Sequence, residues 1–383
     1  MAQRVVVLGA GFGGLELVTR LSEAVGEQVD ITLIDKNDSF VFGFSKLDVM
    51  FGRRRLTEVQ ADYRDIAKRG VEFRRETVLS IDPSNRRVVT DGGTYDADIL
   101  VVALGADYDV AATPGLAEGG YEFYSVAGAE RAGQALAQFD GGAVVVSVLG
   151  PMFKCPGAPI ETVLLVHEHL SRRGLREQST IHLTSPLPMP IPISKKTSTA
   201  LLAILDEAGV EYSFGSMVGR IDPDARMAHL TDGRQLSYDL FLGVPVHCAP
   251  EVVRASEIAE DGWIPVNPAT FETKFPGVFA VGDVTSAPVP RAGGMAEGEA
   301  ATVAAVLIAR LTGTAAPPPF DGVAACYIET HNSVARIDVN FLSYDTPVAK
   351  FSAPAPNLVA EKRVFGTSRL TRWFGYDDPE NRV

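Results

Sequence analysis

A chain of 383 residues, 46% hydrophobic and 22% charged, is long enough for two or three domains with substantial cores and has a globular composition. Its net charge of −13 argues against a nucleic-acid partner and against broad attraction to anionic lipid, since both need a basic face. Three cysteines are too few for a disulfide scaffold. No apolar run reaches the roughly 20 residues of a membrane-spanning helix, and a strand starting at Arg4 leaves no room for an export signal. The expected location is cytoplasmic, at most peripheral to the inner membrane face.

Residues 4–8 form an apolar run of the kind buried in a parallel sheet. Gly9-Ala10-Gly11-Phe12-Gly13-Gly14 follows, then helix periodicity over 15–24 and a strand over 30–34 that ends at Asp35. The spacing is that of a dinucleotide-binding βαβ unit. Gly9, Gly11 and Gly14 let the helix N-terminus meet a pyrophosphate, and Asp35 is placed to accept from a ribose hydroxyl. This motif alone leaves NAD and FAD open. Further on, short strands at 71–74 and 87–90 are separated by the Asp82-Pro83-Ser84-Asn85 turn, Asp91-Gly92-Gly93 forms another turn, and a buried strand at 99–102 closes at Leu104-Gly105-Ala106.

A second βαβ pattern starts with the strand 143–149, continues through a helix over 160–172 and ends in a strand at 180–183. Its loop, Gly150-Pro151-Met152-Phe153-Lys154-Cys155-Pro156-Gly157, cannot cradle a pyrophosphate as the glycine fingerprint does. Strands at 211–214, 227–230 and 239–242 then repeat the earlier layout. Ile81-Asp82-Pro83 with Thr90-Asp91-Gly92 recurs as Ile221-Asp222-Pro223 with Thr231-Asp232-Gly233, which points to duplicated folds. After a proline-rich linker at 314–319 come strands at 325–327, 335–341 and 348–351 and a helical tail over 358–375. The expected fold is α/β: two Rossmann-like, doubly wound dinucleotide-binding domains plus a small C-terminal α+β domain. The first domain takes residues 1–108 and 240–312, the second 109–239 and the third 313–383.

The run Thr273-Lys274-Phe275-Pro276-Gly277-Val278-Phe279-Ala280-Val281-Gly282-Asp283 resembles the second FAD signature of the two-dinucleotide-binding-domain flavoproteins, where the aspartate holds the ribitol chain. The resemblance implies FAD, held by Lys36, Ala103, Gly105, Gly282, Asp283, Arg291, Met295 and Ala296 in addition to Gly9, Gly11, Gly14 and Asp35. It also implies that the helix after Pro290 points its N-terminus at the flavin pyrimidine edge. Arg291 stands where relatives carry a lysine, as a charge partner. The aromatic segment 39–44 is expected to line the flavin's far face.

Lys154-Cys155-Pro156-Gly157-Ala158-Pro159-Ile160-Glu161, with Cys326-Tyr327-Ile328-Glu329 beyond the linker, resembles the sulfide:quinone oxidoreductases and the flavoprotein subunit of flavocytochrome c sulfide dehydrogenase. The resemblance spans roughly residues 4–375. It implies a redox pair, Cys155 and Cys326, whose disulfide is attacked by HS⁻ or a small thiol and whose freed thiolate passes two electrons to the flavin. Cys326 is placed at the flavin by the same analogy, and a quinone or redox protein is the acceptor. Lys154 is expected to favour the Cys155 thiolate by charge. Glu161 either opens the following helix or relays protons. Cys248 reads as a core residue.

No metal site is expected. His167 and His169 lie two apart on a helix and face different ways, and His182, His229 and His331 show no ligand spacing. In the tail, Leu370, Trp373 and Phe374 with Arg369 and Arg372 suit either a modest membrane-surface patch or a homodimer contact. Two other functions stay open. A type II NADH dehydrogenase or an NAD(P)H-dependent disulfide reductase needs the second glycine-rich loop that residues 150–157 lack, and a flavin redox sensor needs no acceptor channel.

Overall fold

The structure, a computed structural model, describes residues 2–66, 68–330, 333–343 and 345–376. Two five-stranded parallel sheets organise it. The first has the strand order Val278–Ala280, Ile99–Val102, Gln3–Leu8, Val29–Asp35, Val71–Arg75. In the second the order is Tyr121–Glu122, Leu240–Val244, Gly142–Val148, Ser179–Ser185, Glu211–Phe214. The central strands are Val- and Leu-rich and buried throughout (Ile99–Val102 and Leu240–Val244), as a sheet covered on both faces requires.

The duplication seen in the turn sequences is present in the fold. Each half carries a three-stranded antiparallel ribbon, Val78–Asp82 with Arg87–Thr90 and Thr94–Asp96 in one, Val218–Asp222 with Met227–Leu230 and Gln235–Ser237 in the other. Both first pairings slip register at the matching place, Val78/Ser80 and Val218/Arg220. Both turns place an arginine in the left-handed region, Arg86 at φ 52° and Arg226 at φ 49°. A two-stranded ribbon, Asp107–Asp109 with Val246–Cys248, bridges the halves.

The C-terminal segment adds an antiparallel sheet, Val323–Thr330, Ser333–Asn340 and Val348–Ala355, and the helix Pro356–Phe374. Here the structure corrects the sequence reading of the tail. Leu370, Trp373 and Phe374 are 1%, 0% and 3% exposed and belong to the first core. Trp373 Nε1 donates to Glu16 Oε2 at 2.9 Å, while Arg372 and Arg369 pair with Glu16 and Glu297 at 2.7 Å each. These residues dock the helix, and the three apolar side chains do not form an exposed stripe. The aromatic segment packs against the same helix. Phe40 and Phe42 are buried, and their rings pack edge-on or stacked against Phe12 and Trp373; only Phe44, in contact with Phe365, stays half-buried. His331 lies outside the described residues. Among the described residues no helix is long and apolar enough to cross a membrane, and no cluster of three metal-ligating side chains occurs.

Candidate functional site

The first sheet ends in a cradle. At Gly9 (φ 101°) a Cβ would run into the Ala103 carbonyl, and at Gly14 it would run into Gly9 O; at Gly11 it would meet nothing within 4 Å. Two of the glycines therefore allow the tight turn and the strand–helix contact, and the third keeps open the space a pyrophosphate would enter. Gly11 caps the helix Phe12–Val25 with no side-chain bond, leaving its first-turn N–H groups to an anion. Asp35 accepts from Ala10 N at 2.8 Å and from Asn37 N and Nδ2 at 2.9 Å, which fixes the loop with lone pairs to spare. Lys36 is exposed beyond it, and Gly105 turns at φ 68°.

Across the cleft, Gly282, Asp283, Arg291, Met295, Ala296 and Glu299 line a hollow of about 200 Å³. The Asp283 carboxyl takes no hydrogen bond among the described residues; burial pushes its pKa up, against the pull of Lys154, Arg291 and Lys46. An enclosed carboxyl with free acceptor sites suits the hydroxyls of a ribitol chain. Glu299, buried behind it, accepts Gly282 N at 2.5 Å and is pushed up to about 8 by burial. The residues present fit FAD. The matching place in the second half is lined differently. Phe153 is buried in the second core, Ser185 stands where Asp35 ends the corresponding strand, and the hollow of about 230 Å³ is walled by Val148, Phe153, Pro159, Leu183, Leu187 and Phe214.

Between the two halves lies the sulfur loop. Cys155 adopts φ 49°, an unusual conformation for a residue with a Cβ. It is held by its N–H donating to Arg291 O at 2.7 Å and its carbonyl accepting Ala158 N at 2.9 Å. Lys154 N donates to His247 Nε2 at 3.3 Å, and His247 Nδ1 donates to Pro245 O at 2.8 Å. Burial holds that imidazole far below its usual range, at about 3, so it stays a neutral acceptor.

One expectation about this loop is corrected. Lys154 does not face the sulfur: its ammonium donates to Ala106 O at 2.5 Å and lies 4.7 Å from the centre of the Tyr108 ring. The Cys155 thiol is accordingly not acidified. It is exposed on its cleft side, yet the surrounding protein, with Cys326 and Glu161, pushes it up to about 12. Burial dominates that shift, and both neighbours act in the same sense. Arg291 lines the hollow across the cleft. Its guanidinium lies 3.8 Å from the Trp263 ring centre and donates to Asp283 O at 2.9 Å and Thr285 O at 3.2 Å, so it braces the loop backbone and its carbonyl holds Cys155.

Cys326 sits on Val323–Thr330, paired with Ile337, and packs against the core cluster that includes Phe153 and Ile160. Gly157 approaches the same strand, since a Cβ there would stand 3.4 Å from Ile328. The two thiols lie within electrostatic reach of one another, and both are free; burial and Glu161 push Cys326 up to about 11. Cys248 is half-buried on the bridging ribbon, opposite Asp107.

Next to Glu161 runs an ionic chain, buried at Glu161 and Lys362 and reaching the surface at Arg53, that the sequence did not reveal. Glu161 Oε1, in the first turn of Ala158–Arg172, accepts Lys362 Nζ at 2.9 Å and Glu329 N at 3.1 Å. Lys362 also reaches Glu329 at 2.6 Å, Glu329 meets Arg53 at 2.5 Å, and Arg53 meets Asp48 at 2.7 Å. Burial pushes Glu161 up, whereas Lys362 and Arg53 pull Glu329 down to about 2. Both carboxyls share one ammonium, and the drier of them, Glu161, keeps the greater affinity for a proton.

The model of the family described as pyridine nucleotide-disulphide oxidoreductase matches residues 3–306. The chain belongs to that family. Within it, the mitochondrial sulfide:quinone oxidoreductase of Mus musculus is 24% identical over 353 residues, covering 88% of this chain and 78% of the relative. A type II NADH:quinone oxidoreductase of Staphylococcus aureus is 24% identical over 393 residues, covering 94% of each chain. In fold, the chain resembles the sulfide:quinone oxidoreductase of Aquifex aeolicus, with a TM-score of 0.86 at 20% identity over 98% of this chain and 92% of that one. This member of the pyridine nucleotide-disulphide oxidoreductases is an FAD-dependent oxidoreductase.

Proposed function

We propose that the enzyme oxidises sulfide, or a small persulfide or thiol, through Cys155 and Cys326 and delivers the electrons to a quinone. What supports this reading is that the loop carrying Cys155 and the strand carrying Cys326 meet, a Cβ at Gly157 standing 3.4 Å from Ile328, and that Glu161 acts on the acidity of both thiols. In the oxidised state, HS⁻ attacks the Cys155–Cys326 disulfide. One S–S bond forms to the incoming sulfur as the old one breaks, leaving a persulfide on Cys155 and a thiolate on Cys326. Because both thiols are held well above their ordinary range, the thiolate tends to recover a proton, and Glu161 is the nearby group with a raised proton affinity to give and take it. Lys362 keeps that carboxyl in place. Bound FAD supplies the two-electron acceptor for the sulfur pair.

Quinone as acceptor draws support from the names of the relatives and from a group of aromatic rings at the strand that carries Cys326. The rings of Phe44 and Tyr327 stand 6.5 and 6.0 Å from that of Phe365, and Lys362 Nζ lies 5.1 Å from the Phe44 ring centre. A planar apolar ring with carbonyl oxygens fits such walls. Anaerobic titration of flavin absorbance tests the reading. Sulfide is expected to bleach the parent protein and NADH to leave it oxidised; bleaching by NADH and not by sulfide would replace this function with a nicotinamide-linked one.

A further inference from the structure

Two ammonium groups meet at one place without a carboxylate to balance them. Lys46, in the first turn of the helix Ser45–Met50, donates to the carbonyl of Tyr124. The hydroxyl of Tyr108 donates to the same carbonyl at 3.0 Å and accepts Lys154 Nζ at 3.4 Å. Three consecutive hydrogen bonds therefore join two lysines from distant parts of the chain. Lys154 also donates to Ala106 O at 2.5 Å. Among the described residues neither ammonium forms an ion pair. The carboxylate of Glu122 is taken up by Tyr124 N at 3.0 Å, Ser125 N at 2.9 Å and Arg131 at 3.5 Å. The Asp283 carboxyl acts on both charges, but from beyond ion-pair distance.

Cations drawn out of water without a counter-ion are costly, and two of them side by side raise the cost. Lys46 shows both effects: burial, then the charge of Lys154, brings it down to about 8, and burial lowers Lys154 as well. Both side chains are only half-buried, so neither is sealed from solvent. An ammonium carries three donors. Lys46 spends one on Tyr124, and Lys154 spends two, on Ala106 and Tyr108. Donors of both are left for an acceptor that brings negative charge, and charge-assisted bonds of this kind are the strong ones. Since a carbonyl and a hydroxyl hold the two ammoniums close together, the acceptor that reaches both is small.

We propose that the Lys46 and Lys154 ammoniums together form a binding site for a small anion, hydrosulfide in the reaction proposed above. The identity of that anion rests on the proposed function; the site itself does not. Azide serves as the probe, because its infrared stretching band shifts when N–H donors hold it. Titrated into oxidised holoprotein at constant ionic strength, it is expected to give a shifted band that saturates at one azide per chain. Lys46→Met and Lys154→Met should each weaken binding about tenfold, the loss of one charge-assisted bond. Lys46→Arg, which keeps the charge, should keep the saturating band. Without azide, both methionine variants should melt no lower than the parent, since each removes an unpaired charge. In anaerobic Cys155→Ser holoprotein, sodium hydrosulfide is expected to displace the azide. A band that never saturates, parental affinity in both methionine variants, or a lowered melting temperature in both overturns the site. Saturation that hydrosulfide does not reverse overturns the assignment of the anion. Sulfide that fails to bleach the flavin of a protein whose two lysines hold azide would refute the proposed function and leave the site standing.

Discussion

Replacing Lys362 by methionine should be among the most damaging single changes outside the apolar cores. The Lys362 side chain is 10% exposed and the Glu161 side chain 4%. The substitution keeps the chain length and removes the charge shared by two carboxylates. Glu329 would retain Arg53 at 2.5 Å, but Glu161 would retain only Glu329 N at 3.1 Å. Uncompensated buried charge of this kind costs about 3–5 kcal/mol. The loss should depend on pH in a definite sense. A carboxyl whose folded pKa is raised binds its proton more tightly folded than unfolded, so stability falls as pH rises above the unfolded value of about 4.5. Without Lys362 the Glu161 pKa rises further, and the deficit of Lys362→Met should therefore be larger near pH 8 than near pH 5. Chemical unfolding followed by circular dichroism measures both values, and Glu161→Gln in the same background should recover much of the deficit. A single variant within about 1 kcal/mol of the parent at pH 8, or a deficit independent of pH, would refute the reasoning about this chain of charges.

Gly11→Ala should fold with parental stability yet purify without FAD, because its Cβ meets no protein atom and enters the cofactor's space; flavin absorbance per protein measures this. Gly14→Ala should instead lower the melting temperature even of the flavin-free protein, since its Cβ runs into the Gly9 carbonyl and overpacking typically costs about 1–3 kcal/mol. Glu329, held down to about 2, contributes stability that is present above about pH 4.5 and lost as pH falls through about 2. The stability gap between parent and Glu329→Gln should accordingly narrow in acid titrations followed by circular dichroism.

How much of this was legible in the sequence depends on the range of each signal. Glycine roles are local: the turn at Gly9 and the close helix contact at Gly14 need no distant partner to be recognised. The duplication was legible because turn chemistry repeats, with Asp82 and Asp222 each capping its own turn through Asn85 N and Ala225 N at 3.0 Å. Orientation was not legible. Lys154 and Cys155 are neighbours, but the left-handed backbone at Cys155 and the carbonyl of Ala106 send the ammonium away from the sulfur. The ionic chain links Glu161 to Lys362 across 201 positions, and no periodicity announces such a pairing. The tail misled because Trp373 and Phe374 beside arginines read as a surface stripe, while the fold supplies Glu16 and Glu297 to receive the charges and lets the rings turn inward.

The proposed chemistry requires Cys155 and Cys326 to form one redox pair. Mild oxidation of the native protein, blocking of remaining thiols, and mass spectrometry of unreduced peptides tests this directly. The expected result is a single cross-linked species joining the Cys155 and Cys326 peptides, with Cys248 recovered blocked. Recovery of Cys155 and Cys326 as separately blocked thiols, or a cross-link of either one to Cys248, would contradict it.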